Sequence, residues 1–88
     1  MMYKDRYSEV LVRKLVKIKK KNPKNHSIIR RRMDDILANP QRSYKFLHHD
    51  MKGINRAHIG HQVLIFVIDH GKKIVSFEDL DHHDKIYQ

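Results

Sequence analysis

Cysteine is absent from this 88-residue chain. That excludes a disulfide framework and any thiolate metal site, so apolar packing alone must hold the core. Long apolar runs are missing too. The longest is the six residues Val63 to Ile68, against the ~20 that a membrane-spanning helix needs. From Tyr3 onward the start of the chain is polar, with no apolar segment that could serve as a signal peptide. No repeat, low-complexity linker or change of composition marks a boundary, so residues 1–88 are expected to form a single domain. A chain this short hides only about 60% of its unfolded surface, which keeps the stability margin thin. The expectation is a soluble, cytoplasmic protein with no membrane partner.

Acidic residues are scarce as well: ten Asp and Glu stand against nineteen Lys and Arg, giving a net charge of +9. The excess is uneven. Residues 1–56 carry sixteen basic and five acidic side chains, whereas residues 57–88 carry three and five. A basic half of that density is the footprint expected of a nucleic-acid binder, because neutralising phosphates releases counterions. A solubility surface, or an interface for an acidic protein, is the alternative.

The hydrophobic period divides the chain in two. Met2 to Tyr7 reads as a short edge strand. Ser8 is a candidate N-cap, followed by Leu11, Leu15 and Ile18 at helical spacing, with Lys17, Lys19, Lys20 and Lys21 near the helix end. Asn22-Pro23 closes this helix and opens another, since proline is tolerated in a first turn. In the second helix Ile29, Met33, Ile36 and Leu37 make one apolar stripe, while Arg30, Arg31 and Arg32 point mostly to solvent. Asn39-Pro40 ends it. So tight a connection makes the two helices an antiparallel hairpin.

Beyond Gly53 the period becomes that of strands. Ile54 to Ile59 is one strand, Gly60-His61 a turn, and Val63 to Ile68 a strand expected to be buried on both faces. Asp69-His70-Gly71 reads as a hairpin turn with Gly71 at positive φ, and Ile74 to Leu80 as the last strand. The tail, Asp81 to Gln88, either adds an edge strand or folds over the sheet. The predicted fold class is α+β, in the order β-α-α-β-β-β, with a two-helix hairpin packed on a small, mostly antiparallel sheet.

Histidine is abundant, at positions 26, 48, 49, 58, 61, 70, 82 and 83. One reading is a metal site, for which His58-x-x-His61, His48-His49 and His82-His83-Asp84 supply suitable ligands. The spacing is not that of a helical H-x-x-x-H, and adjacent histidines on a strand point to opposite faces. A second reading is surface histidines without a shared task, which suits His26 and His70. The third is an acid/base constellation for cleaving an RNA backbone. One group must deprotonate the 2′-hydroxyl, another must protonate the leaving 5′-oxygen, and cations must surround the phosphorane. Histidine suits both proton roles, because its ordinary pKa is about 6.5. Arginine and lysine suit the third role. A meander permits Arg56, His58, His61 and His83 to converge.

The C-terminal motifs bear on that choice. Met51-Lys52-Gly53, then Arg56-Ala57-His58-Ile59-Gly60, Val63-Leu64-Ile65-Phe66 and Leu80-Asp81-His82-His83-Asp84-Lys85-Ile86-Tyr87 occur in this order. Together they resemble the signature of the RelE/ParE superfamily of toxins, nearest to its YafQ-like branch. A short strand, a lysine-rich helix and a second helix ending at Asn39-Pro40 fit the same pattern more loosely. The resemblance implies a RelE-like fold and the toxin of a type II toxin–antitoxin pair. Such a toxin is a metal-independent endoribonuclease (an mRNA interferase, with no cofactor) that cuts messenger RNA in the ribosomal A site by 2′-hydroxyl attack. By position, His58, His83 and His49 match histidines used in the YafQ-like branch. His61 stands where that branch has an aspartate, Asp81 replaces a glycine, and Phe66 replaces a tyrosine. The roles so implied are His58 as general base, His83 as general acid and Arg56 with Lys52 on the phosphorane. His49 and His61 would hold phosphate or orient the partners, and Tyr87 would stack on a base. Implied partners are a cognate antitoxin, messenger RNA and ribosomal RNA. The toxin alone is expected to be monomeric and to form a hetero-oligomer with its antitoxin. The superfamily's other function, inhibition of DNA gyrase by binding without a nuclease site, is the alternative.

Overall fold

The computed structural model describes residues 2–48, 50 and 53–87. Strand β1 (Lys4–Tyr7) leads into helices α1 (Glu9–Lys21) and α2 (Pro23–Ala38), and then come strands β2 (Asn55–Ile59), β3 (Gln62–Asp69) and β4 (Ile74–His82) and a single-turn helix α3 (His83–Ile86). The four strands form one sheet in the order β1-β4-β3-β2. Pairing is antiparallel between β2 and β3 and between β3 and β4, and parallel between β1 and β4. The architecture is therefore α+β. None of its helices, among the described residues, is long and apolar enough to cross a membrane.

Local sequence chemistry sets the joints. The Ser8 hydroxyl caps α1 by accepting from the Leu11 amide at 3.1 Å and itself donates to the Glu78 carbonyl, so the strand-to-helix joint is riveted to β4. Asn22 ends α1 and starts α2: its amide donates to the Ile18 carbonyl at 2.7 Å, and its Oδ1 accepts from the Asn25 amide at 3.1 Å. Pro23 follows in the first turn of α2. One face of each helix then packs on the sheet. Leu11, Ile29, Met33 and Ile36 meet Ala57, Ile59, Leu64, Phe66, Val75, Phe77 and Leu80 in a single core. Each fully buried aliphatic or aromatic side chain there contributes about 1.5–3 kcal/mol of transfer free energy.

Three expectations need revision. Burial of β3 on both faces holds at Val63, which is fully buried, but Ile65 and Val67 are only half-buried. Positive φ in the β3–β4 turn falls on Lys73 (φ 56) and not on Gly71. The Asp69 carboxylate shapes that turn by accepting from the Lys72 amide at 2.9 Å, and it delivers the left-handed residue two positions later than the glycine. The first strand begins at Lys4 and not at Met2, while Tyr3 is buried beside it. In the two-residue β2–β3 turn the positive φ is at Gly60 (φ 61), the first central position, as a type II′ turn requires.

Of the tail's two options, folding back over the sheet holds, and no edge strand is added among the described residues. Asp81 and His82 extend β4, and α3 then turns back against β3 and β4.

Candidate active site

Alternation along β2 sorts its side chains. Ala57 and Ile59 enter the core, so Arg56 and His58 project from the opposite face of the sheet. His82 ends β4 and caps α3, its Nδ1 accepting from the Asp84 amide at 3.4 Å. The His83 amide donates to the His61 carbonyl at 2.8 Å, which pins the start of α3 to the β2–β3 turn. These two constraints bring the His83 imidazole beside that of His58, with ring centroids 5.7 Å apart and planes inclined by 28°.

Tyr87 follows one turn later and closes the arrangement. Its ring centroid lies 4.7 Å from that of His83, and His48 meets it nearly edge-on at 5.8 Å. Arg56 Nη1 donates to the Tyr87 hydroxyl at 2.9 Å, with the guanidinium carbon 5.9 Å from the ring centroid. One hydrogen bond and a cation–π contact therefore tie an arginine of β2 to the tail. The Arg56 Nε is buried and has no hydrogen-bond partner among the described residues. A buried unsatisfied donor costs about 1–3 kcal/mol. Neither ring nitrogen of His58 is held by a hydrogen bond among the described residues. The nearest carboxylate to His83 is Asp84, 3.8 Å from Nδ1 and largely exposed. Two imidazoles on one face with a guanidinium can exchange protons with a ribose hydroxyl and a leaving oxygen and neutralise phosphate charge.

Behind this face the end of β4 is fixed from α1. Beyond Phe77 the strand has no β1 partner, and Lys14 fills the gap. Its Nζ donates to Asp79 Oδ1 at 2.7 Å, to Asp81 Oδ2 at 3.0 Å and to the Leu80 carbonyl at 3.1 Å. Burial opposes the ammonium charge, yet its hydrogen bonds to Asp79 and Asp81 outweigh that and raise the Lys14 pKa. The same Lys14 bond, together with the His82 amide, pulls the Asp81 carboxyl below its ordinary value. Asn25 Nδ2 adds a bond to Gln62 Oε1 at 3.2 Å, which ties α2 to the start of β3.

Of the residues singled out in the sequence, the fold thus gathers Arg56, His58, His83 and Tyr87. His61 stays outside the cluster: its ring is stacked on His82 at 6.1 Å, and only its carbonyl reaches His83. His49 and Lys52 lie outside the described residues. His48, weighed in the sequence only as a metal ligand with His49, is the neighbour that the motif match left out. Its signal was the Phe46-to-Asn55 pairing that sets this segment against β2, which a count back from Gly53 does not contain. His70, expected to be without a task, bonds the buried Tyr3 hydroxyl through Nδ1 at 2.8 Å. Among the described residues no three His, Asp or Glu side chains gather as a metal cage requires.

No family model matches the chain. Among curated proteins it is 38% identical over 88 residues to one named "Putative toxin RelE4" from Methanocaldococcus jannaschii, covering 99% of this chain and 93% of that protein. An "Uncharacterized protein" of Methanosarcina mazei is 49% identical over 75 residues, 84% of this chain and 86% of that one. Among solved structures, a chain of the E. coli DinJ-YafQ toxin-antitoxin complex superposes with a TM-score of 0.77 at 21% identity, and both chains are covered in full.

Proposed function

The chain belongs to the RelE family of toxins, and on that footing we propose that it is an endoribonuclease that halts translation by cutting messenger RNA on the ribosome. The observation that carries this reading is the pairing of His58 and His83 on one open face, 5.7 Å apart and beside Arg56.

In this mechanism a messenger nucleotide lies across that face. His58 takes the proton of a 2′-hydroxyl, and the resulting oxygen attacks the adjacent phosphorus. The bond from phosphorus to the 5′-oxygen breaks as His83 donates a proton to that oxygen. The products are a 2′,3′-cyclic phosphate and a 5′-hydroxyl, so atoms and charge balance without an added reactant. Arg56 stabilises the charge gathering on the phosphorane, held in place by the Tyr87 hydroxyl. Each positioned acid or base is worth about 10²–10⁴-fold in rate, and a preorganised cation about 10²–10³-fold.

The partners follow from the charge distribution. The lysine-rich α1 and the arginines of α2 suit ribosomal RNA, and binding through them is steeply salt-dependent. The same surface suits an acidic, apolar antitoxin segment that folds as it wraps the toxin. The DinJ-YafQ neighbour is itself a toxin–antitoxin complex, which supports a protein partner of this kind. Gyrase inhibition draws no support from relatives named for RelE and YafQ.

Expression of the chain in a bacterial host, with primer extension on a reporter message, tests the reading. Cuts within codons are expected for wild type and should vanish in His58→Ala and His83→Ala. Growth arrest without cuts, unchanged in both variants, would overturn it.

A further inference from the structure

Small-ligand sites span about 300–1,000 Å³, and the fold places a cavity in that range next to Tyr87, whose ring contacts His83. The space of ≈530 Å³ is lined by Tyr44, Lys45, Phe46, Leu47, His48, Arg56 and Tyr87. Its wall is a segment that lies against the edge of β2: the Arg56 amide donates to the Lys45 carbonyl at 2.9 Å, and the Leu47 amide donates to the Ile54 carbonyl at 2.7 Å. Phe46 bridges to Asn55, which is buried on the helix side of the sheet. Residues opposite one another share a face, so Lys45 and Leu47 fall on the other side, with Arg56 and His58.

Four observations describe the ligand. Leu47 is a half-buried apolar floor. Two rings meeting nearly at right angles, His48 and Tyr87, provide a wall and an edge for a flat group. Lys45 is exposed at the rim. Arg56 lines the same space and brings a fixed positive charge to it. An apolar floor, ring walls, a lining guanidinium and a rim cation match a nucleobase with an attached phosphate better than an acidic peptide, which would bring carboxylates and no ring to stack.

We propose that this cavity is a subsite for the messenger nucleotide adjoining the scissile phosphate, with its base on Leu47 and His48 and its phosphate on Lys45. Lys45 and Leu47 then set affinity and base preference, without taking part in proton transfer. The proposal rests on the nuclease reading above and adds to it two residues that the sequence motifs did not mark.

The test uses ribosomes programmed with messages that differ in the base next to the cut, and compares wild type, Lys45→Ala, Lys45→Arg and Leu47→Trp. Lys45→Ala is expected to raise KM about tenfold while leaving kcat within about twofold, and Lys45→Arg to recover most of the loss. Leu47→Trp fills the cavity and should change the ranking of flanking bases. Parallel binding measurements use a message blocked by a 2′-O-methyl group at the cut site. Cleavage by wild type with unchanged KM and base ranking in the variants overturns the subsite alone. So does a loss of antitoxin affinity in Lys45→Ala without any change toward RNA. Wild type that cuts nothing, yet binds blocked message in a Lys45-dependent way, overturns the nuclease reading and keeps the subsite.

Discussion

His58 and His83 lie with their rings 5.7 Å apart although one belongs to a strand and the other opens the terminal helix. The bond from the His83 amide to the His61 carbonyl pins the start of α3 to the β2–β3 turn, and the Arg56 bond to the Tyr87 hydroxyl ties the residue after α3 to β2. Under the proposed mechanism the two rings serve one reaction, so their removal should not be additive. His58→Ala and His83→Ala are each expected to lower single-turnover cleavage by about 10²–10⁴-fold. The double variant should be little worse than the slower single one. Multiplying losses would show that the two histidines act separately.

Tyr87 supports Arg56 with its hydroxyl and His83 with its ring. Tyr87→Phe keeps the ring and removes the acceptor, and about a tenfold loss of rate is expected with no loss of folded protein. Arg56→Lys should recover little activity compared with Arg56→Ala, since a point charge cannot meet both the tyrosine and the phosphate. Rates from purified variants, with circular dichroism as the folding control, decide both outcomes.

The Lys14 tether has a pH signature. Asp81 holds its proton less tightly in the folded chain than in the unfolded one. It therefore contributes stability above the unfolded value of about 4, and this is lost as pH falls through the depressed folded value. Both groups are about one-third exposed, so screening keeps the effect near 1 kcal/mol or less. Denaturant melts of Lys14→Met should show lower stability at neutral pH and a shallower decline into acid. Equal slopes for both proteins would remove Asp81 from the explanation.

At the alkaline end Tyr7 gives the opposite sign. Burial and its 2.8 Å bond to Asp5 push its pKa up to about 12. Its contribution is fully present below pH 10 and is lost as pH rises toward 12. Tyr7→Phe should flatten the stability curve across that window.

The two turns make a paired backbone test. Gly60 has φ 61 and open space around a notional Cβ, so Gly60→Ala should cost about 1–2 kcal/mol from backbone conformation alone. Gly71 lacks positive φ, and its notional Cβ meets only Asp69 Oδ1 at 3.4 Å. Gly71→Ala should cost less than half as much. Thermal melts of both variants would check this, and a larger loss at Gly71 would contradict the turn assignment.

What was legible in the sequence was what short-range chemistry controls. The Leu11–Leu15–Ile18 and Ile29–Met33–Ile36 stripes, the Ser8 cap and the Asn22-Pro23 joint gave both helices, because spacing and capping act within a turn or two. The order of strands was legible from turn residues. The parallel pairing of β1 with β4 was not, because nothing local in Lys4 to Tyr7 names its partner. The β3–β4 turn was misread at Gly71 because the Asp69 carboxylate, and not the glycine, shapes the loop. At the site, Arg56, His58, His83 and Tyr87 could be marked as a set from the motifs they share. Lys14, Lys45 and Leu47 could not: the first works through a gap beside β1, and the others through a bridge onto the edge of β2.

One measurement bears most directly on the paired-histidine mechanism: cleavage of a message whose scissile 5′-oxygen is replaced by sulfur. A thiolate leaves without a proton, so the loss caused by removing the general acid should largely disappear. His83→Ala is expected to cut the sulfur message within about tenfold of wild type, while His58→Ala stays slow. Rescue of His58→Ala instead would exchange the two roles. If neither variant is rescued, or if both cut the ordinary message at the wild-type rate, His58 and His83 are not an acid–base pair.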